Sequence, residues 1–349
     1  MRGGRRGGTV SRAWSGRARL LAGGLALAGA VAGCSGKDAG AGPATAPTGD
    51  GVAVGERDPN GDAGIPANDP AGMRRDLDLA YGTGSSARRL DLYRPASTPA
   101  GGLPLVVVIH GGAFQYGDKR DMAVHVRALV ARGYAVASLN YRMAPAATFP
   151  AAVVDVKGAV RWLRANADRY GLDPDRFAAL GESAGAYLAT MLGVSADRSF
   201  PEDAELGNTD VPSAVRAVVH LYGPVSFLTM DDEVRANPAC KPGDASHDAA
   251  GSPESLFLGR QITTAPGLVA AANPVTYLDR DRALPRFLVE HGRVDCTVPY
   301  QQSAGLADAL RAAGATVSLN LLDGRGHSDT FPLAERYPGI LAFLADALR

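Results

Sequence analysis

Two periodicities organise the chain. The first is the continuous apolar run. Leu105-Val106-Val107-Val108-Ile109 and Tyr134-Ala135-Val136-Ala137-Ser138-Leu139 are runs of the length and composition that strands buried on both faces require. Phe177-Ala178-Ala179-Leu180, Val215 to Leu221, Phe287-Leu288-Val289 and Val317 to Leu322 extend the set. The second is helical. Between 151 and 168, Val153, Val156, Val160 and Leu163 recur at the spacing of one helix face. Two shorter segments alternate polar and apolar: Asp76-Leu77-Asp78-Leu79 and Arg89-Leu90-Asp91-Leu92, with Gly82-Thr83-Gly84-Ser85 between them. They read as a hairpin of exposed strands. An antiparallel start followed by strand–helix alternation predicts an α/β domain, a mostly parallel sheet with helices on both faces. Its ligand site belongs at the C-terminal ends of the strands.

Composition fits a globular chain: 349 residues, 46% hydrophobic, with 36 Lys+Arg against 36 Asp+Glu. The balance is uneven along the chain. Residues 1–33 hold six Arg and no acid, which leaves 30 basic against 36 acidic residues beyond them. A mildly acidic remainder argues against nucleic acid as a partner. The basic stretch runs to Arg19, and an apolar Gly/Ala-rich run follows from Leu20 to Ala32, which is the pattern of a signal peptide over 1–33. The run is too short and Gly-rich for a transmembrane span. It ends in Val31-Ala32-Gly33-Cys34, which resembles a bacterial lipobox and implies lipidation of Cys34. In 35–70, Gly, Ala and Pro fill 20 of 36 positions without an aromatic residue. Residues 34–72 therefore read as the lipidated Cys and a disordered linker, and 73–349 as a single domain. The expected location is exported: anchored by lipid on the extracytoplasmic side of the cell membrane, or secreted.

The chemistry concentrates at strand ends. Gly181-Glu182-Ser183-Ala184-Gly185 follows the Phe177–Leu180 run and opens a helical pattern. That is the strand–turn–helix setting of a Gly-x-Ser-x-Gly nucleophile elbow, with Ser183 as nucleophile. His110-Gly111-Gly112-Ala113-Phe114 ends the 105–109 run and resembles the His-Gly-Gly-Gly motif of lipases and esterases. Gly112, Ala113 and Ala184 are the expected backbone donors to an oxyanion; Ala113 replaces a glycine, a small departure because the donor is an N–H. His110 is expected to order the loop. Asp295 follows the 287–289 strand and His327 follows the 317–322 strand. Ser183, Asp295 and His327 thus occur in the chain order of a serine hydrolase triad. His125, His220, His247 and His291 show no metal-ligand spacing and are expected to be structural or surface residues.

These motifs make the chain similar to α/β-hydrolases of the esterase/lipase type over about 75–349. Asn140-Tyr141-Arg142-Met143-Ala144-Pro145 and Gly292 to Pro299 resemble hormone-sensitive-lipase-like esterases, and His110 to Lys119 resembles acetylxylan and feruloyl esterase-like proteins. The resemblance implies an eight-stranded sheet with a cap, carboxylesterase activity through an acyl-enzyme, and no cofactor. Small-molecule or polysaccharide esters are the implied substrates. A serine peptidase of the same fold and a non-catalytic binding protein on that fold are the alternatives. The insertion at about 226–283 is the expected cap, with Leu256, Phe257 and Leu258 either shaping the pocket or packing the cap onto the sheet. With Cys34 assigned to lipid, Cys240 and Cys296 remain, and in an oxidising compartment they are expected to form a disulfide.

Overall fold

The structure is a computed structural model and describes residues 66–196, 200 and 206–349. The expected signal peptide, Cys34 and the expected linker up to residue 65 lie outside the described residues. Residues 66–72, expected to be disordered linker, are instead held against the domain: Arg127 Nε donates to the Pro66 carbonyl at 3.1 Å and the Met73 N–H to the Pro70 carbonyl at 3.0 Å. No helix among the described residues is long and apolar enough to cross a membrane.

Eight strands form one sheet: β1 (Arg74–Ala80), β2 (Arg89–Arg94), β3 (Leu103–Ile109), β4 (Ala135–Leu139), β5 (Leu172–Glu182), β6 (Ala217–Leu221), β7 (Arg286–Gly292) and β8 (Val317–Leu322). Their order is β1-β2-β4-β3-β5-β6-β7-β8. β1 pairs with β2 and β2 with β4 antiparallel, and all later pairs are parallel. The apolar runs are continuous because alternate residues feed two cores. Leu105, Val107 and Ile109 enter one core, with Val153, Val160, Leu188 and Leu306. Val106 and Val108 enter the other, with Val126, Leu129 and Ile340. Thus α2 (Ala151–Ala165), α4 (Ala184–Val194) and α8 (Gln301–Ala312) cover one face, and α1 (Ala123–Val130) and α9 (Leu333–Ala347) cover the other.

Two expectations change. The predicted 151–168 helix ends at Ala165, and a separate turn, α3 (Ala167–Tyr170), follows it. The predicted hairpin is exposed only along β1. β2 is buried because both of its edges are paired. Its Asp91 is compensated by Lys119 Nζ at 3.1 Å and by the Asp78 N–H at 2.7 Å, as a buried carboxylate requires.

The site follows from the strand order. β3 lies between β4 and β5, so the connections that leave its neighbours diverge at this point, where an α/β sheet opens a crevice. Ile109, the last residue of β3, is level with Gly181 of β5. The loop after β3 and the turn after β5 therefore meet at that crevice. Between β6 and β7 the chain inserts α5 (Met230–Ala236), α6 (Pro253–Leu258) and α7 (Pro266–Ala272), which make up the expected cap region.

Candidate active site

Ser183 is held in the turn between β5 and α4 at φ 52° and ψ −121°. That conformation costs a non-glycine residue about 1–3 kcal/mol and persists only where its surroundings impose it. They do so through the two glycines of the motif. A Cβ on Gly181 would lie 2.1 Å from the Gly185 carbonyl oxygen, and one on Gly185 would lie 2.1 Å from that of Ile109. The helix thus packs directly on β3 and β5. The Ser183 N–H donates to the Leu221 carbonyl at 2.9 Å, which fixes the turn to β6 as well.

Ser183, His327 and Asp295 come together from the ends of three strands. Ser183 Oγ lies 3.0 Å from His327 Nε2, and His327 Nδ1 lies 2.6 Å from Asp295 Oδ2. A carboxylate beside Nδ1 makes that nitrogen the donor, so Nε2 is left to accept from the Ser183 hydroxyl. Asp295 is fully buried. Its Oδ1 accepts from the Thr297 and Val298 N–H groups at 2.9 and 2.8 Å, and its Oδ2 also meets His291 Nε2 at 3.1 Å. Burial works against its ionisation, but the hydrogen bonds from His291 and His327 outweigh it and hold the carboxyl well below the usual range.

Ala113, Ser183 and Ala184 line a common cavity of about 350 Å³, together with Phe114 and Val298. Ala184 is the first residue of α4, so its N–H has no acceptor one turn back. Ala113 takes φ 52°. Gly112 does not line the cavity; its carbonyl accepts from Gln115 and Tyr116 and closes the loop on itself. His110 orders this loop: its Nδ1 lies 2.7 Å from the Gly111 carbonyl and its ring stacks on Tyr141 at 4.5 Å. Burial lowers the pKa of His110.

Of the two roles expected for Leu256, Phe257 and Leu258, the structure shows the packing one. Leu256, Phe257 and Leu258 are absent from the described cavity wall. Phe257 is buried and stacks on Phe114 at 4.1 Å, with Tyr187 and Phe227 around it. These apolar residues seat the cap on the sheet, and Pro253 and Glu254 of the same helix line the cavity instead. Cys240 and Cys296 are bonded to each other. Beside that link, Asn237 Nδ2 donates to the Arg293 carbonyl at 3.0 Å and His247 Nε2 meets the Thr297 carbonyl at 2.9 Å. The loop carrying Asp295 is therefore fastened to the cap at three points.

His291 and His125, two of the histidines expected to be structural or surface residues, stand directly behind the site, with Glu182 and Tyr222. His291 touches Asp295 itself: its Nε2 also meets the Val298 carbonyl at 2.8 Å, and its Nδ1 meets Ser303 Oγ at 2.7 Å. Glu182 pairs with His125 Nε2 at 2.9 Å, and His125 Nδ1 meets the Tyr337 hydroxyl at 2.8 Å. Burial opposes ionisation of Glu182, but His125 and a hydrogen bond from Tyr222 outweigh it. The Tyr222 ring lies edge-on to His327 at 4.9 Å. The signals were a carboxylate inside the serine motif and a histidine four residues before Asp295. Neither has meaning without knowing what lies opposite. His220, by contrast, is structural: it bonds Thr190 and Gly223, and burial, with His291 nearby, lowers it to about 3.

Comparison with known proteins finds esterases in sequence and in fold. Esterase LipQ of Mycobacterium tuberculosis is 35% identical over 257 residues, 72% of this chain and 56% of that protein. The probable carboxylic ester hydrolase LipM of the same organism is 32% identical over 240 residues, 68% of this chain and 52% of that protein. The chain thus spans about half the length of the curated relatives it matches. A bifunctional GH43-CE protein of Bacteroides eggerthii superposes with TM-score 0.68 at 30% identity, over 79% of this chain and 38% of that one. A truncated carbohydrate esterase from gut microbiota gives TM-score 0.67 at 24% identity, over 82% and 98%, a likeness of fold. The architecture is that of the α/β-hydrolases. The BD-FAE family model matches residues 90–310, a span that runs from β2 through α8 and contains both Ser183 and Asp295, and the chain belongs to that family.

Proposed function

We propose that this chain is a serine carboxylesterase acting on short-chain acyl esters through an acyl-enzyme on Ser183. The carrying observation is the relay of 3.0 Å from Ser183 Oγ to His327 Nε2 and 2.6 Å from His327 Nδ1 to Asp295. In this reading His327 Nε2 takes the hydroxyl proton as Ser183 Oγ attacks the ester carbonyl. Asp295 holds the imidazole in its tautomer and stabilises the imidazolium. The N–H groups of Ala113 and Ala184, which line the cavity beside Ser183, receive the oxyanion; Gly112, the third expected donor, stands back from the cavity wall. The tetrahedral intermediate collapses, His327 gives its proton to the departing alcohol, and the acyl group stays on Ser183. Water, deprotonated by His327, then adds to the acyl carbon and releases the acid. A cavity of about 350 Å³ is at the small end for ligand sites, which supports short acyl chains.

Polysaccharide esters are one natural source of such groups. Export with a lipid on Cys34 belongs to the same proposal, and a disulfide between Cys240 and Cys296 supports an oxidising location. Replacing Cys34 by Ala should move the protein from the membrane fraction to the soluble one; an unchanged distribution contradicts the anchor. The activity itself is tested with p-nitrophenyl acetate and p-nitrophenyl laurate. The short ester should be hydrolysed faster, and Ser183→Ala should abolish both reactions. Activity that persists in the folded variant contradicts the reading.

A further inference from the structure

The two oxygens of Asp295 are held differently. Oδ1 is held by its own loop, through the Thr297 and Val298 N–H groups. Oδ2 faces two imidazoles: His327 Nδ1 at 2.6 Å and His291 Nε2 at 3.1 Å. Orienting the base requires only the first of these. His291 lies in β7, fully buried, and both of its ring nitrogens are engaged. Nε2 faces two acceptors, Asp295 Oδ2 and the Val298 carbonyl at 2.8 Å, so it carries a proton. Nδ1 meets the buried Ser303 hydroxyl of α8 at 2.7 Å, which holds the ring in this orientation. The oxygen that orients the base is therefore shared with a second, fixed donor that does not line the cavity.

We propose that His291 is a positioning residue for ester hydrolysis: its Nε2–H fixes the Asp295 carboxylate and takes up part of the charge on Oδ2, so that the acid orients His327 without locking it as the imidazolium. The proposal rests on the esterase reading of Ser183. A carboxylate oxygen divides its charge among the donors it accepts. Without the donor from His291, Oδ2 bears on His327 alone, and an opposite charge left less shared favours the imidazolium more strongly. The imidazolium cannot take the Ser183 proton, so the base fails at a higher pH. The carboxylate also loses a bond that fixes its plane, and the ring it orients is placed less accurately; an error of about 1 Å costs on the order of 10²-fold in rate. Other titratable groups face this cluster from neighbouring elements. Glu182 of β5 acts on His327, the Tyr222 hydroxyl beyond β6 acts on Asp295, and His247 of the cap meets the loop at the Thr297 carbonyl. His220 of β6 faces His291, but burial lowers it to about 3 and leaves it neutral. Among the described residues, His291 and His327 are the hydrogen-bond partners of Oδ2.

Profiles of kcat and kcat/KM against pH, with p-nitrophenyl acetate and the full chain, test this in the wild type, His291→Met and His291→Gln. Both side chains fill roughly the space of the ring, and neither titrates. Gln reaches the position of Nε2 and offers an N–H to Asp295; Met offers none. Loss of the Ser303 contact is common to both, so their difference isolates the bond to Asp295. His291→Met should move the acid limb of kcat/KM upward by about 0.5 pH unit or more. It should lower kcat on the plateau by about tenfold and leave KM within about threefold. His291→Gln should return the limb to within about 0.2 pH unit of the wild type and recover most of kcat. Where His291→Met does not fold, Ser303→Ala, which only frees the ring, should move the limb in the same direction by about 0.3 pH unit. An acid limb that stays in place in the folded Met or Ala variant, or a Gln variant as impaired as Met, overturns the proposal while Ser183-dependent hydrolysis stands. A wild type inert on p-nitrophenyl acetate, or activity surviving Ser183→Ala, overturns the esterase reading and this proposal with it.

Discussion

The strand ends and the cap face each other across one cavity, and they are finished to different degrees. On the sheet side the carboxyl of Asp295 has four partners: His291, His327 and the N–H groups of Thr297 and Val298. On the cap side the carboxyl of Glu254 keeps one oxygen unpaired among the described residues. Both carboxyls are buried, yet their pKa values move in opposite directions, down for Asp295 and up for Glu254. Burial alone raises a carboxyl; donors reverse the sign only where they are supplied. The sheet therefore carries a reactive arrangement that is complete before substrate arrives. The cap carries a buried carboxyl that its own surroundings leave partly unpaired.

Ways of breaking the contrast can be ranked. Ser183→Ala should cost the most, at least about 10⁴-fold in kcat/KM, with folding intact, measured by initial rates and circular dichroism. Asp295→Asn should lower kcat by about 10²–10⁴-fold, because an amide cannot hold the tautomer that His327 needs. It should also change the pH dependence of stability. The folded pKa of Asp295 is depressed, so its stabilisation is fully present above the unfolded value of about 3.9 and is lost as pH falls through the folded value. The gap in unfolding free energy between wild type and Asp295→Asn should therefore narrow as pH drops below about 4; a gap that widens there contradicts this account.

Cutting the link between the two regions comes next. With a separation of 56 residues, replacing Cys240 and Cys296 by Ser should lower stability by up to about 4 kcal/mol in denaturant titrations. Asn237 and His247 still fasten the loop, so Ser183 should keep its reactivity in the folded variant. The smallest effect belongs to the loop after β3. Ala113 pays for its positive φ of 52°, so Ala113→Gly should raise stability by up to about 1 kcal/mol and leave kcat within about twofold.

The same contrast explains what could be read from the chain. The strands were legible because alternate residues of Leu105–Ile109 are apolar for two separate cores, which leaves no polar position in the run. Ser183, Asp295 and His327 were legible because their chemistry demands strand ends in a fixed chain order. The burial of β2 was not, because its polar Asp91 is compensated by Lys119, 28 positions away in the chain. In the cap the sequence leaves open whether Leu256, Phe257 and Leu258 line the pocket or seat the cap, and the structure shows that they seat it. Phe257 stacks on Phe114 through a contact that joins residues far apart in sequence. Glu254, one turn earlier on the same helix, carries no sequence signal, since an acid in the first turn of a helix is ordinary. The sequence places His291 among structural or surface histidines; its contact with Asp295 was not legible, because it lies in the oxygen that Asp295 shares with His327.

The most direct test of the central claim is to expose the full chain to diethyl p-nitrophenyl phosphate and map the adduct by peptide mass spectrometry. The account predicts a single diethylphosphoryl group on Ser183, release of p-nitrophenol in equal amount, and loss of the adduct in His327→Ala. A folded protein that takes no adduct, or takes it on another residue, contradicts the account.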